Sequence, residues 1–135
     1  YPPHRSLQNF VRDLNHLYRN EPALHELDFS EEGFERIDFH DWEESTLSFI
    51  RKGRNTDDII LVVCNFKPAL RYNYRVGVPS GGFWRELLNS NAEIYGGSGK
   101  GNAGGINADP VPAQGRDFSL LLTLPPLGIL FFKSS

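Results

Sequence analysis

The sequence predicts an all-β fold, an antiparallel β-sandwich, preceded by a single α-helix. Apolar residues recur at a period of about 3.6 near the N-terminus and at a period of 2 after residue 33. Short apolar segments then follow one another, separated by turns rich in Gly, Pro and Asn. Because these segments do not alternate with helical ones, a sandwich of antiparallel strands is favoured over a parallel α/β fold.

The composition is typical of one soluble globular domain. The chain has 135 residues, of which 39% are hydrophobic and 23% charged, and its formal net charge is -3. No apolar run approaches the roughly 20 residues of a membrane span, and no block of like charge indicates a nucleic-acid partner. The single Cys64 cannot form an intrachain disulfide and favours a cytoplasmic location. Since the chain lacks methionine and opens on "YPPHRSL", we expect it to be an excised fragment.

The first segment predicts an amphipathic helix. It starts near His4 or Ser6 and ends before Pro22, because proline cannot join the helical hydrogen-bond ladder beyond the first turn. A helix of about four turns is marginal alone in water, so its apolar face is expected to pack on another surface. The residues of this face follow the spacing i, i+3, i+4, i+7, and they are Leu7, Phe10, Val11, Leu14, Leu17 and Tyr18.

The segments after residue 33 predict strands. "FERIDFHD" and "STLSFIR" are typical of half-buried strands, and "IILVVCNF" predicts a central strand covered on both faces, in which Cys64 is a small buried hydrophobe. "YNYRVGV" and "FWRELLN" flank "PSGG", which is a hairpin signal. "FSLLLTL" and "LGILFFK" complete the set on either side of two prolines.

The glycine-rich stretch "YGGSGKGNAGG" at residues 95–105 matches the phosphate-binding pattern G-x-G-x-x-G at Gly99, Gly101 and Gly104. That fingerprint needs a strand before it and a helix after it, since the helix N-terminus carries the phosphate. The residues that follow, "GINADPVPAQGRD", contain two prolines and no helical period. We therefore interpret the stretch as a long surface loop whose glycines allow positive φ and close backbone contacts.

The titratable residues form no recognisable catalytic or metal-binding pattern. Cys64 has no neighbouring base in the sequence, and the acidic residues lie in segments typical of a solvated surface. The histidines are scattered and no pair shares a ligand spacing with a cysteine; they are His4, His16, His25 and His40. We expect no active site, metal or cofactor in this chain.

Aromatic residues are the remaining candidates for binding. Aromatic faces stack on sugar rings, but large aromatics also dominate core burial, and the core is the favoured interpretation for Trp84 and some of the tyrosines. The candidates for glucan contact lie near turns or on alternating strand faces, and they are Trp42, Tyr72, Tyr74 and Trp84.

Several stretches, in order, resemble the C-terminal end of bacterial glycogen branching enzymes, the 1,4-α-glucan branching enzymes of glycoside hydrolase family 13. They include "RDLNHLYRNEPALHELDF", "GFERIDFHDWEESTLSFIR", "YRVGVPSGGFWRELLNSNAEIYGGSGKGN" and "SLLLTLPPLG". The resemblance implies an alpha-amylase-type C-terminal domain, a Greek-key sandwich, at residues 29–135. Residues 1–28 would be the last helix and linker of a (β/α)₈ catalytic barrel, on which the apolar helix face packs.

The resemblance also implies what the parent enzyme does. Such enzymes, which act in glycogen biosynthesis, cleave an α-1,4 glucan and transfer the released chain to a 6-hydroxyl. Their catalytic residues lie in the barrel, so none is carried onto this chain, which we expect to be inactive alone. The implied partners are that barrel and α-1,4-glucan, with no cofactor.

The chain departs from the family pattern at two positions, and the first of them bears on glucan binding. Arg36 stands where relatives often have a tryptophan associated with surface glucan binding, and Trp42 would have to replace it. Asn91 stands where relatives often have an acid. The leading hypothesis is therefore a non-catalytic domain that stabilises the barrel, and the alternative is an autonomous α-glucan-binding module.

Overall fold

The computed structural model describes residues 2–25, 34–36, 46–54, 59–91, 101–102 and 104–134. Within these residues the chain forms an α-helix, a 3₁₀ turn and eight strands. In chain order they are α1 (Pro2–Asn20), the 3₁₀ turn (Pro22–Leu24), β1 (Phe34–Arg36), β2 (Thr46–Lys52), β3 (Ile59–Asn65), β4 (Arg71–Val78), β5 (Phe83–Asn89), β6 (Gly105–Asn107), β7 (Phe118–Leu124) and β8 (Gly128–Ser134).

The strands form two sheets, and every pair of neighbouring strands in the described part of the chain is antiparallel. One sheet has the order β1-β2-β3-β8-β5-β6, and the other consists of β4 and β7. Apolar side chains of both sheets meet between them, and the largest fully buried ones are Trp84, Phe132, Ile50, Leu61, Leu120, Leu122, Leu124 and Leu130. The predicted all-β antiparallel fold is confirmed.

The helix begins at Pro2, two to four residues before the predicted start at His4 or Ser6. α1 includes Pro2 and Pro3 in its first turn, where a proline leaves no intrahelical hydrogen bond unmade. It ends at Asn20, directly before the 3₁₀ turn that contains Pro22. The prediction that Pro22 stops the helix is confirmed.

β3 is covered on both faces, as predicted. Leu61 and Val63 point into the core between the sheets, whereas Ile60, Val62 and Cys64 belong to a second apolar cluster on the outer face of the six-stranded sheet. Burial raises the pKa of the Cys64 thiol from 9.0 to about 11, because a buried site disfavours the charged thiolate. Cys64 is therefore the small buried hydrophobe that was predicted.

The predicted hairpin at "PSGG" is wrong. β4 pairs with β7 and β5 pairs with β8 and β6, so this turn crosses from one sheet to the other. The turn includes Gly82 at φ +88. Val78 before it and Trp84 after it both point into the core between the sheets. Period-2 alternation is satisfied equally by a hairpin and by such a crossing, so the pattern alone could not separate them.

Some predicted features lie outside the described residues. Of the strand predicted at "FERIDFHD", only Phe34–Arg36 is described, as β1. The described residues also exclude Trp42, residues 92–100 and Ala103, so only Gly101, Asn102, Gly104 and Gly105 of the glycine-rich stretch are described.

Candidate functional site

The C-terminal end of α1 and the 3₁₀ turn lie on the outer face of the six-stranded sheet. Ala23 and Leu24 of the turn are buried against β3 side chains of the second apolar cluster. Leu17, at the end of α1, packs at the edge of that cluster. The other side chains packed around it come from β2, β5 and β8, and they are Leu47, Phe49, Leu87, Ile129 and Phe131.

Two polar contacts reinforce this attachment. Lys133 Nζ on β8 lies 2.6 Å from Glu21 Oε2, and both side chains are largely shielded from solvent. Arg51 Nη2 on β2 donates to the carbonyl oxygen of Leu24 at 3.3 Å. Charge-assisted hydrogen bonds of this kind are stronger than neutral ones, so the end of the helix is held at two points of the sheet.

The sandwich covers the predicted helix face only in part. Phe10, Leu14 and Leu17 are half-buried, whereas Val11 is 45% exposed and Tyr18 is also exposed. Leu7 lies in the helix, but the structure does not describe its side chain. An isolated helix face of this kind normally packs on something, and among its described side chains Leu17 packs on the second apolar cluster.

An apolar groove lies between α1 and the six-stranded sheet. It encloses about 360 Å³ and lies beside Arg51 of β2; the apolar side chains that line it are Leu14, Tyr18, Leu24, Phe49, Val62 and Phe131. The groove is thus bordered by α1 on one side and by residues of the second apolar cluster on the other.

The aromatic candidates divide by burial. Trp84 is 0% exposed and its indole N–H donates to the carbonyl oxygen of Ser80 at 3.2 Å, and Tyr74 is also buried. Neither offers a ring face to a sugar, so both are corrected from glucan-contact candidates to core residues. Tyr72 is 65% exposed, and Trp42 lies outside the described residues.

A β-bulge places Tyr72 on the surface. In the β4–β7 register, Arg71 pairs with Leu124 and Tyr74 with Leu122, so two residues of β4 oppose one of β7. The extra residue follows Tyr72: Asn73 adopts φ +57, in the left-handed region that Asn tolerates better than most residues. Bulges redirect side chains in this way, and this bulge leaves the Tyr72 side chain exposed to solvent.

The end of the glycine-rich stretch is fixed against both sheets. Gly104 has φ +90, and a side chain at Gly105 would collide with the ring of Phe83. The prediction that these glycines allow positive φ and close contacts is confirmed for this end of the stretch. Sequence reasoning missed Asn102, whose side-chain amide contacts Glu86 of β5 and Thr123 of β7.

The described residues contain no group of three or more His, Cys, Asp or Glu side chains placed to hold a metal ion. Nor does that part of the chain include a helix long and apolar enough to cross a membrane.

Comparison with known proteins places this architecture in a family. The model of the alpha amylase C-terminal all-beta domain matches residues 37–135. A 1,4-alpha-glucan branching enzyme of Aquifex aeolicus is 61% identical over 133 residues, which cover 98% of this chain and 21% of that protein. The corresponding enzyme of Aromatoleum aromaticum is 59% identical over 96% of this chain and 20% of its own length. That of Thermosynechococcus vestitus is 52% identical over 98% of this chain and 17% of its own length.

The chain therefore spans about a fifth of the length of the curated relatives it matches. The family match extends from before β2 to the end of β8 and so includes most strands of both sheets. The chain belongs to the alpha amylase C-terminal all-beta domain family.

Proposed function

We propose that this chain is the non-catalytic C-terminal domain of a 1,4-alpha-glucan branching enzyme, and that it stabilises the catalytic barrel of that enzyme. In this proposal the boundary between the last barrel helix and the sandwich domain lies near residue 28. The parent enzyme acts in glycogen biosynthesis in the cytoplasm, cleaving α-1,4 glucan and transferring the released chain to a 6-hydroxyl.

The observation that carries the proposal is the identity of 61% to a branching enzyme over nearly the whole chain. The aligned region includes α1 as well as the strands, since it covers 133 of the 135 residues. Because the match covers only about a fifth of that relative, the chemistry is assigned to the remainder of the parent protein.

The placement of α1 supports the stabilising role. Its C-terminal end is attached to the sheet by Leu24 and by the Lys133–Glu21 ion pair. Its face carries exposed Val11 and borders the apolar groove. A barrel packed on this face would bury apolar surface at a gain of roughly 25 cal/mol per Å².

A chimera tests the proposal. The C-terminal 133 residues of the Aquifex aeolicus branching enzyme would be replaced by this chain, and branching of amylose followed by the loss of iodine colour. We expect the chimera to branch amylose and this chain alone to leave the colour unchanged. Branching by the chain alone, or a folded chimera without activity, would contradict the proposal.

A second candidate function is direct contact with glucan, which the exposure of Tyr72 favours. The ring stands at a bulge of the two-stranded sheet, where its exposed face is available to stack on a sugar. Trp42 belongs to the same proposal on sequence grounds alone.

Titration of the labelled chain with maltoheptaose tests this second function. Binding predicts localised shifts around Tyr72 that disappear in Tyr72→Ala but persist in Phe66→Ala, the matched control at another exposed aromatic ring. The absence of shifts at millimolar ligand would leave only the stabilising role.

A further inference from the structure

Among the described residues, the two-stranded sheet has two outer edges, one on β4 and one on β7. An edge strand presents backbone N–H and C=O groups that can pair with a strand of another molecule. In this chain, the side-chain amides of two residues outside the sheet, Asn102 and Gln114, bond to these backbone groups.

Asn102 occupies the outer edge of β7. Its Oδ1 accepts a hydrogen bond from the N–H of Thr123 at 2.8 Å, and its Nδ2 donates to the carbonyl oxygen of the same residue at 3.0 Å. A paired residue on an antiparallel neighbouring strand would make the same two bonds. Glu86 Oε2 lies 3.2 Å from both the backbone N and Nδ2 of Asn102. Because a carboxylate only accepts hydrogen bonds, Glu86 fixes which way the amide points.

Gln114 occupies the outer edge of β4. Its Oε1 accepts from the N–H of Gly77 at 2.5 Å, and its Nε2 donates to the carbonyl oxygen of Arg75 at 3.3 Å. The residue lies in a tight turn with φ +46, where Ala113 and Arg116 exchange backbone hydrogen bonds. A side chain at Gly77 would collide with the carbonyl of Ala113, so glycine lets this turn lie directly on the strand.

Backbone contacts cover the rest of the β7 edge near its start. Asp109 and Ser119 exchange two hydrogen bonds of 2.8 and 3.0 Å. The Ser119 hydroxyl also accepts from Arg75 Nη1 at 2.6 Å and donates to the carbonyl of Val111 at 2.8 Å. These contacts hold the start of the Gln114 loop against the edge of β7. The Gln114 amide bonds to the edge of β4, which these backbone contacts do not cover.

We propose that Asn102 and Gln114 are edge-blocking residues, and that removing either amide opens a strand edge that pairs with a second copy of this chain. A second copy is the fitting partner because it offers the same opened edge, and a two-fold axis can pair an antiparallel edge with itself. On β4 the groups exposed would be the N–H of Gly77 and the C=O of Arg75. The proposal does not depend on the function of the parent enzyme.

The variant Gln114→Ala is the decisive test, because this side chain is exposed and its loss leaves the core intact. We expect hydrogen exchange at the Gly77 amide to rise about tenfold, as the loss of one hydrogen bond implies, with Val62 unchanged. Sedimentation should show that the mass of the variant increases with protein concentration, while the unsubstituted chain stays monomeric. Gln8→Ala, which removes an exposed amide from α1, is the matched control and should behave as the unsubstituted chain does.

Asn102→Ala tests the other edge, with Asn107→Ala at the exposed end of β6 as its control. Faster exchange at Thr123 together with association would support the proposal. A Gln114→Ala chain that remains monomeric at millimolar concentration overturns it, whether or not Gly77 exchanges faster. If the Asn102→Ala chain unfolds, the mass of the Gln114→Ala chain alone decides between these outcomes.

Discussion

Replacing Leu24 with Ala should release the end of α1 from the six-stranded sheet. Leu24 is buried in the second apolar cluster against Ile60, Val62 and Cys64, and its carbonyl accepts the hydrogen bond from Arg51. No other buried leucine in the described segments joins the helical part of the chain to the sheet.

The size of the effect follows from the surroundings of this side chain. The substitution removes on the order of three buried carbon groups, at roughly 0.8 kcal/mol each. A closed cavity would raise the cost to about 3–5 kcal/mol. Leu24 lines the open groove beside α1, where water can enter, so we expect the free energy of unfolding to fall by about 2 kcal/mol.

Urea unfolding measures the loss of stability, and hydrogen exchange at the α1 amides measures the release of the helix. Leu127→Ala is the matched control: Leu127 is 68% exposed, so the same substitution should cost less than about 0.5 kcal/mol. Exchange in α1 should rise more than exchange in β3. A loss no larger than that of the control, or unchanged exchange in α1, would refute the argument that Leu24 anchors the helix.

Three further predictions concern other contacts. Lys133→Met leaves the shielded Glu21 carboxylate without its ion-pair partner and should cost about 1–3 kcal/mol in urea unfolding; no loss would contradict the ion pair's role. Because burial raises the pKa of Cys64 from 9.0 to about 11, its contribution to stability should be complete below pH 9 and be lost as pH rises through 11. Cys64→Ser should flatten that decline. Leu127 has φ +47, so Leu127→Asn should stabilise the chain by roughly 0.5–1 kcal/mol, measured by thermal unfolding; destabilisation would mean the leucine side chain matters more than its backbone strain.

The parts of the fold predicted from sequence are those that depend on local periodicity. The helical spacing that ends at Pro22 identified α1, and the uninterrupted apolar run identified β3 as covered on both faces. Burial of Cys64 followed from its place in that run. In each case the neighbouring residues alone decide the pattern.

The features that were missed depend on partners distant in the sequence. Tyr72, Tyr74 and Trp84 look alike as aromatic strand residues, and only the bulge after Arg71 and the second sheet decide which of them reach solvent. The edge contact of Asn102 spans 21 residues to Thr123, and that of Gln114 spans 37 to Gly77. No short-range pattern marks such contacts.

The central claim is that the exposed face of α1 is covered by a catalytic domain, and a matched pair of substitutions tests it most directly. Val11 on α1 is 45% exposed in this chain, and Val111 in the loop before β7 is 41% exposed. Each would be changed to Asp, both in this chain and in the Aquifex aeolicus chimera, and the free energy of unfolding measured. In this chain alone both changes should cost less than about 0.5 kcal/mol. In the chimera, Val11→Asp should cost about 2 kcal/mol or more, since it buries a charge, while Val111→Asp stays neutral. Equal effects of the two substitutions in the chimera would contradict the account.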